Sequence, residues 1–202
     1  MKSRDAQPKG WPQDVQYLSA PSYAQQMSKQ TFMALHTKPN NAETIAMVNG
    51  PSSNVEIRTI AVSTHPAYGQ HGLFARKDLP PGSFILFYVG VVHTEEDSDC
   101  TSDYDLSLDR ELGVGIDAAK AGNEARFIND YRGISAKGPN AEFREVWVDR
   151  GKDVYERRMA VFVLPAGKSG KRASGIRKGE EILVSYGKGF WKERQAGKTD
   201  VE

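Results

Sequence analysis

Three segments of the chain bring together residue types with chemical potential. Tyr68-Gly69-Gln70-His71-Gly72-Leu73-Phe74-Ala75 sets glycines around a histidine. Gly122-Asn123-Glu124-Ala125-Arg126-Phe127-Ile128-Asn129-Asp130, followed by Pro139-Asn140, packs arginine, phenylalanine and asparagine into one short stretch. Lys178-Gly179-Glu180-Glu181-Ile182-Leu183-Val184-Ser185-Tyr186-Gly187 closes on a tyrosine. Read singly, each has an ordinary explanation. Gly69 and Gly72 can serve a turn. They are no dinucleotide fingerprint, because no strand-to-helix pattern surrounds them and the third glycine is missing. Arg126 to Asn129 reads as a strand with a capped end, and Tyr186 as a half-buried tyrosine. His65 and His93 have no partner recognisable by spacing and read as surface or core residues. Cys100 is the single cysteine, which excludes an internal disulfide framework and a multi-cysteine zinc cluster, so no metal site is expected.

The elements that must position these residues are mostly short strands. The 202 residues suit one domain with extensions, and 39% hydrophobic with 26% charged residues is ordinary for a globular protein. With 27 basic and 26 acidic side chains, the balance gives no direct nucleic-acid signal. The first residues have no apolar core of signal-peptide length, and no run approaches the ~20 apolar residues of a membrane span. A soluble, intracellular protein is the expectation. Residues 1–13 are polar and proline-containing and read as a flexible arm. Residues 14–36 are expected to hold a helix, with Ser22 as N-cap and Tyr23 and Met27 on one face. Residues 37–54 read as a linker. From Val55 onward the texture is β: Val55 to Arg58, Ser83 to Val92, Tyr104 to Leu108, Leu112 to Ile116, Phe143 to Val148, Met159 to Leu164 and Glu181 to Tyr186 are strand candidates. The basic, Gly/Ser-rich stretch 167–178 reads as a solvated loop.

Taken in order, the three segments resemble the SET-domain family of protein lysine methyltransferases. The opening Gly-x-Gly turn with an apolar pair and alanine is matched by His71-Gly72-Leu73-Phe74-Ala75. The spaced run that follows is matched by Asp78-Leu79, Gly82, Ile85, Tyr88 and Gly90, and the next block by Ile116-Asp117-Ala118 and Gly122 to Asn129. Pro139-Asn140 and Lys178 to Gly187 complete the pattern, over roughly two thirds of the chain. The resemblance implies a mainly β fold, α+β by class, of small curved sheets. In it, the segment after Asn123 and the segment around Tyr186 cross in a pseudoknot, and a partly helical N-terminal extension precedes them. The domain reading is an arm and extension at 1–54, the SET domain at 55–187 and a cysteine-free C-terminal segment at 188–202.

The same resemblance implies S-adenosylmethionine as cofactor and a protein or peptide lysine as substrate, with a histone tail the expected target. Tyr186 would be the catalytic tyrosine. His71, Gly72, Leu73, Phe74, Tyr104, Arg126, Phe127, Ile128 and Asn129 would bind the cofactor. Tyr88, Tyr104, Phe190 and Trp191 would wall the lysine channel. Such walls suit the chemistry, because a free lysine has a pKa of about 10.4 and desolvation favours its neutral, nucleophilic form, while aromatic faces still hold the entering cation. Two departures stand against an ordinary active site: Gln70 where the first glycine belongs, and Asp130-Tyr131-Arg132 where the family has His-Ser-Cys. They leave a second reading, a catalytically inactive SET fold that binds a peptide or chromatin, and a third, a methyltransferase for a non-histone protein. A nuclear location follows if the substrate is a histone. The sequence leaves the oligomeric state open.

Overall fold

A computed structural model of the chain describes residues 7–48, 50–168 and 172–187. Among the described residues, fourteen short strands and one short α-helix run in the order β1 (Gln16–Tyr17), β2 (Ser22–Tyr23), α1 (Lys29–Ala34), β3 (Thr44–Ala46), β4 (Val55–Thr59), β5 (His71–Ala75), β6 (Phe84–Tyr88), β7 (Val91–Thr94), β8 (Asp105–Asp109), β9 (Val114–Asp117), β10 (Ala121–Gly122), β11 (Asn129–Asp130), β12 (Ala141–Asp149), β13 (Tyr155–Val163) and β14 (Leu183–Val184). They form two four-stranded sheets, β3-β12-β13-β6 and β2-β7-β9-β8, and three two-stranded ones, β1-β10, β11-β14 and β4-β5.

The strand candidates read from the sequence are present apart from Arg126 to Asn129, but the long apolar run 83–92 is cut in two. β6 lies in one four-stranded sheet and β7 in the other, so the chain changes sheets between them. Gly90 makes the change. A Cβ there would stand 2.4 Å from the Asp117 carbonyl oxygen, so only glycine lets the backbones approach. The stretch read as a strand ending at Asn129 is instead a 3-10 turn over Glu124–Phe127. Asn123 enforces it: its Oδ1 accepts from Ala125 N and Val89 N, while its Nδ2 donates to the Phe87 carbonyl. A single side chain thereby ties the turn to the end of β6.

The residues before Val55 depart most from expectation. The helix is shorter and later than expected, with Ser28 as its N-cap, whose Oγ accepts from Thr31 N at 3.0 Å. Ser22 and Tyr23 form β2 alongside Val91 and Val92, because Tyr23 gains more by sending its hydroxyl to the buried Glu156 at 2.8 Å than by a place on a helix face. The expected flexible arm holds Trp11, which is buried, donates from Nε1 to the Val15 carbonyl at 2.8 Å and meets Tyr17 and Phe127 edge-on. The expected linker contributes β3, parallel to β12. Strands from this segment thus join three sheets. The main core gathers Leu73, Leu79, Ile85, Ile116, Ile176 and Ile182, all essentially fully buried. Each such side chain contributes about 1.5–3 kcal/mol relative to exposure.

Candidate active site

Two segments far apart in sequence meet where the chemistry was expected. β11 pairs in parallel with β14, setting Asn129 opposite Leu183 and Asp130 opposite Val184. Asn140 locks the join from the side. Its Nδ2 donates to the Glu181 carbonyl and its Oδ1 accepts from Leu183 N, both at 2.8 Å. The 54-residue separation explains why no local pattern announces this pairing. Two-residue strands have no periodicity to read.

Tyr186 follows β14 and is held at both ends. Its backbone N–H donates to Asp130 Oδ2 at 2.7 Å, and its hydroxyl donates to the Ile128 carbonyl at 2.6 Å. Burial, reinforced by the charge on Asp130, pushes its pKa well above the ordinary tyrosine value, so it stays a neutral phenol. The hydroxyl's proton is committed to the Ile128 carbonyl. Asp130, the residue that departs from the family's histidine, is buried. It also accepts from Arg132, through the backbone N–H at 2.8 Å and the guanidinium at 2.7 Å. The departure therefore does not empty the position: a carboxylate there pins the tyrosine's backbone. Asp130→Ala is expected to lower unfolding stability by about 1–3 kcal/mol, the cost of orphaning buried donors. Chemical denaturation checks this, and a loss under about 0.5 kcal/mol would deny the pin.

Two cavities flank Tyr186. The smaller, about 70 Å³, is lined by Tyr88, Tyr104, Leu106, Ile128, Phe143 and Tyr186 among others. The Tyr88 hydroxyl donates to the Tyr104 carbonyl at 2.6 Å, and its ring meets Phe143 edge-on. Burial, with Tyr186 beside it, raises the Tyr88 pKa far above the ordinary value. The larger is an open cleft of about 560 Å³ bounded by His65, Gln70, His71, Phe127, Asn129 and Arg132 among others. That size lies within the ~300–1,000 Å³ of small-molecule sites. Asp103, Tyr104, Arg126 and Tyr186 border both cavities. Arg126 is buried, donates from Nε to the Ala118 carbonyl at 2.9 Å and lies 4.2 Å over the Tyr104 ring, so the wall they share is fixed.

Of the residues expected at the cofactor, His71, Tyr104, Arg126, Phe127 and Asn129 line the cleft, while Ile128 lines the narrow cavity. Gly72, Leu73 and Phe74 line neither. The alternation of β5 sends Leu73 fully into the core, opposite Ile57, and lays Phe74 under the Arg58 guanidinium at 4.9 Å. Gly72 faces Glu181, whose Oε1 would be 2.6 Å from an added Cβ. For the lysine channel, Tyr88 and Tyr104 line the narrow cavity, and Phe190 and Trp191 lie outside the described residues. Gly69, one place early in the turn, has φ +80° and supplies the left-handed conformation that Gln70 would resist.

Sequence reasoning missed several participants. Leu106 and Phe143 carry only the alternation of their strands as a signal. His65 and His93, read as unpartnered, both have carboxylate partners. His65 Nε2 is 3.1 Å from Glu181 Oε2, and His93 Nε2 is 3.0 Å from Asp105 Oδ1. Burial lowers the pKa of His93, but its hydrogen bonds to the Thr94 carbonyl and Asp105 outweigh it, and the net shift is upward. Spacing could not show either pair, since each is made across elements. Among the described residues, no group of three His, Cys, Asp or Glu side chains could hold a metal ion, and no helix is long and apolar enough to cross a membrane.

Comparison with known proteins bears on the family of this fold. The family model for the SET domain matches residues 70–187. A human protein, histone-lysine N-methyltransferase EHMT1, is 30% identical over 124 residues, which is 59% of this chain and 8% of that protein. The chain therefore spans a small part of its curated relative. Among solved structures, a humanized mutant of the Chaetomium thermophilum Polycomb Repressive Complex 2, bound to an inhibitor, superimposes with a TM-score of 0.51 at 22% identity, over 68% of this chain and 15% of the other. An active polycomb repressive complex 2 in the basal state gives 0.50 at 25% identity, over 68% and 16%. Strand pairing, the joined segments around Tyr186 and the matched model lead to one conclusion: the chain belongs to the SET-domain family.

Proposed function

We propose that the chain transfers a methyl group from S-adenosylmethionine to the ε-amine of a protein lysine, a histone tail being the expected substrate and the nucleus then the place of action. Residues 55–187 are the catalytic domain in this reading. The observation that carries it is the pair of unlike cavities that share Tyr186 in their walls: a wide cleft sized for a small molecule and a narrow, tyrosine- and phenylalanine-lined cavity sized for an alkyl chain. When bound in the cleft, the cofactor supplies an electrophilic methyl on a sulfonium sulfur.

The residues present fit such a group. Asn129 and Arg126 offer polar contacts for its charged end, and His71 and Phe127, 5.7 Å apart with their rings edge to face, offer an apolar wall. Tyr88, Tyr104 and Phe143 strip water from the incoming side chain, which favours the neutral amine. The Tyr186 hydroxyl, held by its bond to the Ile128 carbonyl, belongs to the wall that both cavities share and would sit beside the reacting groups. Alignment and oriented dipoles, rather than a strong base, supply most of the rate in this arrangement.

Calorimetric titration of the folded chain with S-adenosylmethionine is the direct test. Saturable one-to-one binding is expected, followed by transfer of labelled methyl to histone lysines. A folded chain that binds none would overturn the enzyme reading and favour a peptide-binding module. A chain that labels only non-histone proteins would move the substrate and leave the chemistry intact. Asn129→Ala is expected to weaken cofactor binding by about 1–3 kcal/mol, roughly 5- to 150-fold, as the site loses a polar partner. Unchanged affinity would remove Asn129 from the pocket.

A further inference from the structure

His65 lies upstream of the matched SET residues, in the loop that closes one side of the cleft. The loop is drawn tight by Ile60 N donating to the Gln70 carbonyl at 2.8 Å and Gly69 N to the Ile60 carbonyl at 3.0 Å. The His65 side chain is only 8% exposed and its partner Glu181 only 10%. Nδ1 of His65 accepts from Ala67 N at 3.0 Å, so the ring's proton sits on Nε2, which donates to Glu181 Oε2 at 3.1 Å. This tautomer is assigned from the hydrogen-bond network. Glu181 Oε1 in turn accepts from Asn129 Nδ2 at 2.8 Å, and the same nitrogen reaches the His71 carbonyl at 3.3 Å. Both acceptors are therefore matched to the amide's donor end. Asn129's Oδ1 is left to the cleft as an acceptor.

We propose that His65 is a positioning residue which, through Glu181, fixes the side-chain amide of Asn129 so that its oxygen faces the cleft and receives an N–H donor of the bound cofactor. The proposal rests on the reading of the cleft as an S-adenosylmethionine site. The physical logic is one of orientation. An asparagine amide can turn over at little steric cost, and only its partners decide which end faces the ligand. Glu181 alone could accept the amide's donors, but an unanchored carboxylate can rotate away. His65 holds it from the other side and is itself held by the loop backbone.

Two variants and two readouts test this. In the unliganded protein, the Asn129 side-chain amide, assigned by its loss in Asn129→Asp, is expected to give one sharp pair of proton resonances. His65→Ala is expected to shift and broaden that pair. His65→Gln, whose amide nitrogen can still donate to Glu181, is expected to restore it. With S-adenosylmethionine, His65→Ala is expected to raise the Kd and the cofactor KM about 5- to 10-fold, the effect of losing an oriented hydrogen bond, with kcat little changed and His65→Gln near wild type. If His65→Ala fails to fold, Glu181→Gln serves instead. It presents a donor to one of two donors and is expected to disturb the amide and the Kd in the same way. Unchanged Asn129 resonances in His65→Ala, or in Glu181→Gln, would overturn the proposal. So would an unchanged Kd in a variant whose wild type binds. A wild type that binds no S-adenosylmethionine would sink the reading of the cleft, while the resonances would still decide whether His65 sets the amide.

Discussion

Tyr186→Phe is expected to lower the methyl-transfer rate by about 10²- to 10³-fold, the scale found when one oriented polar group is removed from a site of this kind. The same change is expected to cost only about 0.5–1.5 kcal/mol of stability, the net worth of one hydrogen bond. The contrast between the two effects is the diagnostic. The hydroxyl donates to the Ile128 carbonyl, and the residue lines both the cleft and the narrow cavity. The ring remains in phenylalanine and still packs against the core beside it. A single-turnover assay at saturating cofactor measures the first effect and urea denaturation the second. A variant that keeps a third or more of the wild-type rate would remove Tyr186 from the chemistry. A variant that loses rate and stability together would make the residue structural.

The largest expected effect on stability lies elsewhere. Glu156→Ala is expected to cost about 3–5 kcal/mol, because it leaves a buried guanidinium without its partner. Glu156 and Arg158 are each about 1% exposed. Glu156 Oε2 accepts from Arg158 Nε at 2.9 Å and from Arg150 at 3.1 Å, and Oε1 accepts from the Tyr23 hydroxyl. The network fastens β2 to β13, and with it the N-terminal segment to the core. The Arg158 guanidinium lies 5.1 Å over the Phe87 ring, and its Nη1 is buried with no hydrogen-bond partner among the described residues, so without Glu156 only the ring face is left to offset the charge. Replacing Glu156 and Arg158 together by leucine and methionine is expected to cost less than the single change, since no charge is then stranded.

The pH dependence has a definite sign. Burial alone would raise the pKa of Glu156, but Arg158, Tyr23 and Arg150 outweigh it and hold the folded value below the ordinary 4.5. Its contribution is therefore full above pH about 4.5 and is lost as pH falls through the depressed folded value. Wild type is expected to lose stability over that acid range more steeply than Glu156→Gln. Equal slopes would show that the group is not linked to folding. A loss under about 1 kcal/mol in Glu156→Ala at neutral pH would show that the arginines find other partners.

How much of this was open to the sequence differs from residue to residue. The strands after Val55 were legible because β12, β13 and β6 are long enough to show alternation or an unbroken apolar run. Tyr186, Asn129 and Arg126 were legible because the ordered segments around them resemble one family. The N-terminal segment was not legible. β1, β2 and β3 are two or three residues long and pair with Ala121, Val91 and Trp147 far along the chain, so each looks like loop until its partner is known. Composition pointed the wrong way there, since proline, serine and asparagine mark turns and linkers but do not forbid short parallel pairings. Leu73 and Phe74 show a different limit. Their motif suggested a pocket, while the alternation of β5 turned one into the core and the other under Arg58.

By itself, then, the sequence determined the family, the β character and the identity of the residues around Tyr186, because these depend on local order and residue type. Only the tertiary structure decided what those residues touch. It set Asp130 beneath the Tyr186 backbone, joined His65 to Glu181 and Asn129, and brought Tyr23 to Glu156 across 133 positions. Each is a contact between charged or polar groups on different elements. Such a contact leaves no spacing to read, because its distance is set by how the sheets pack and not by how the chain is ordered.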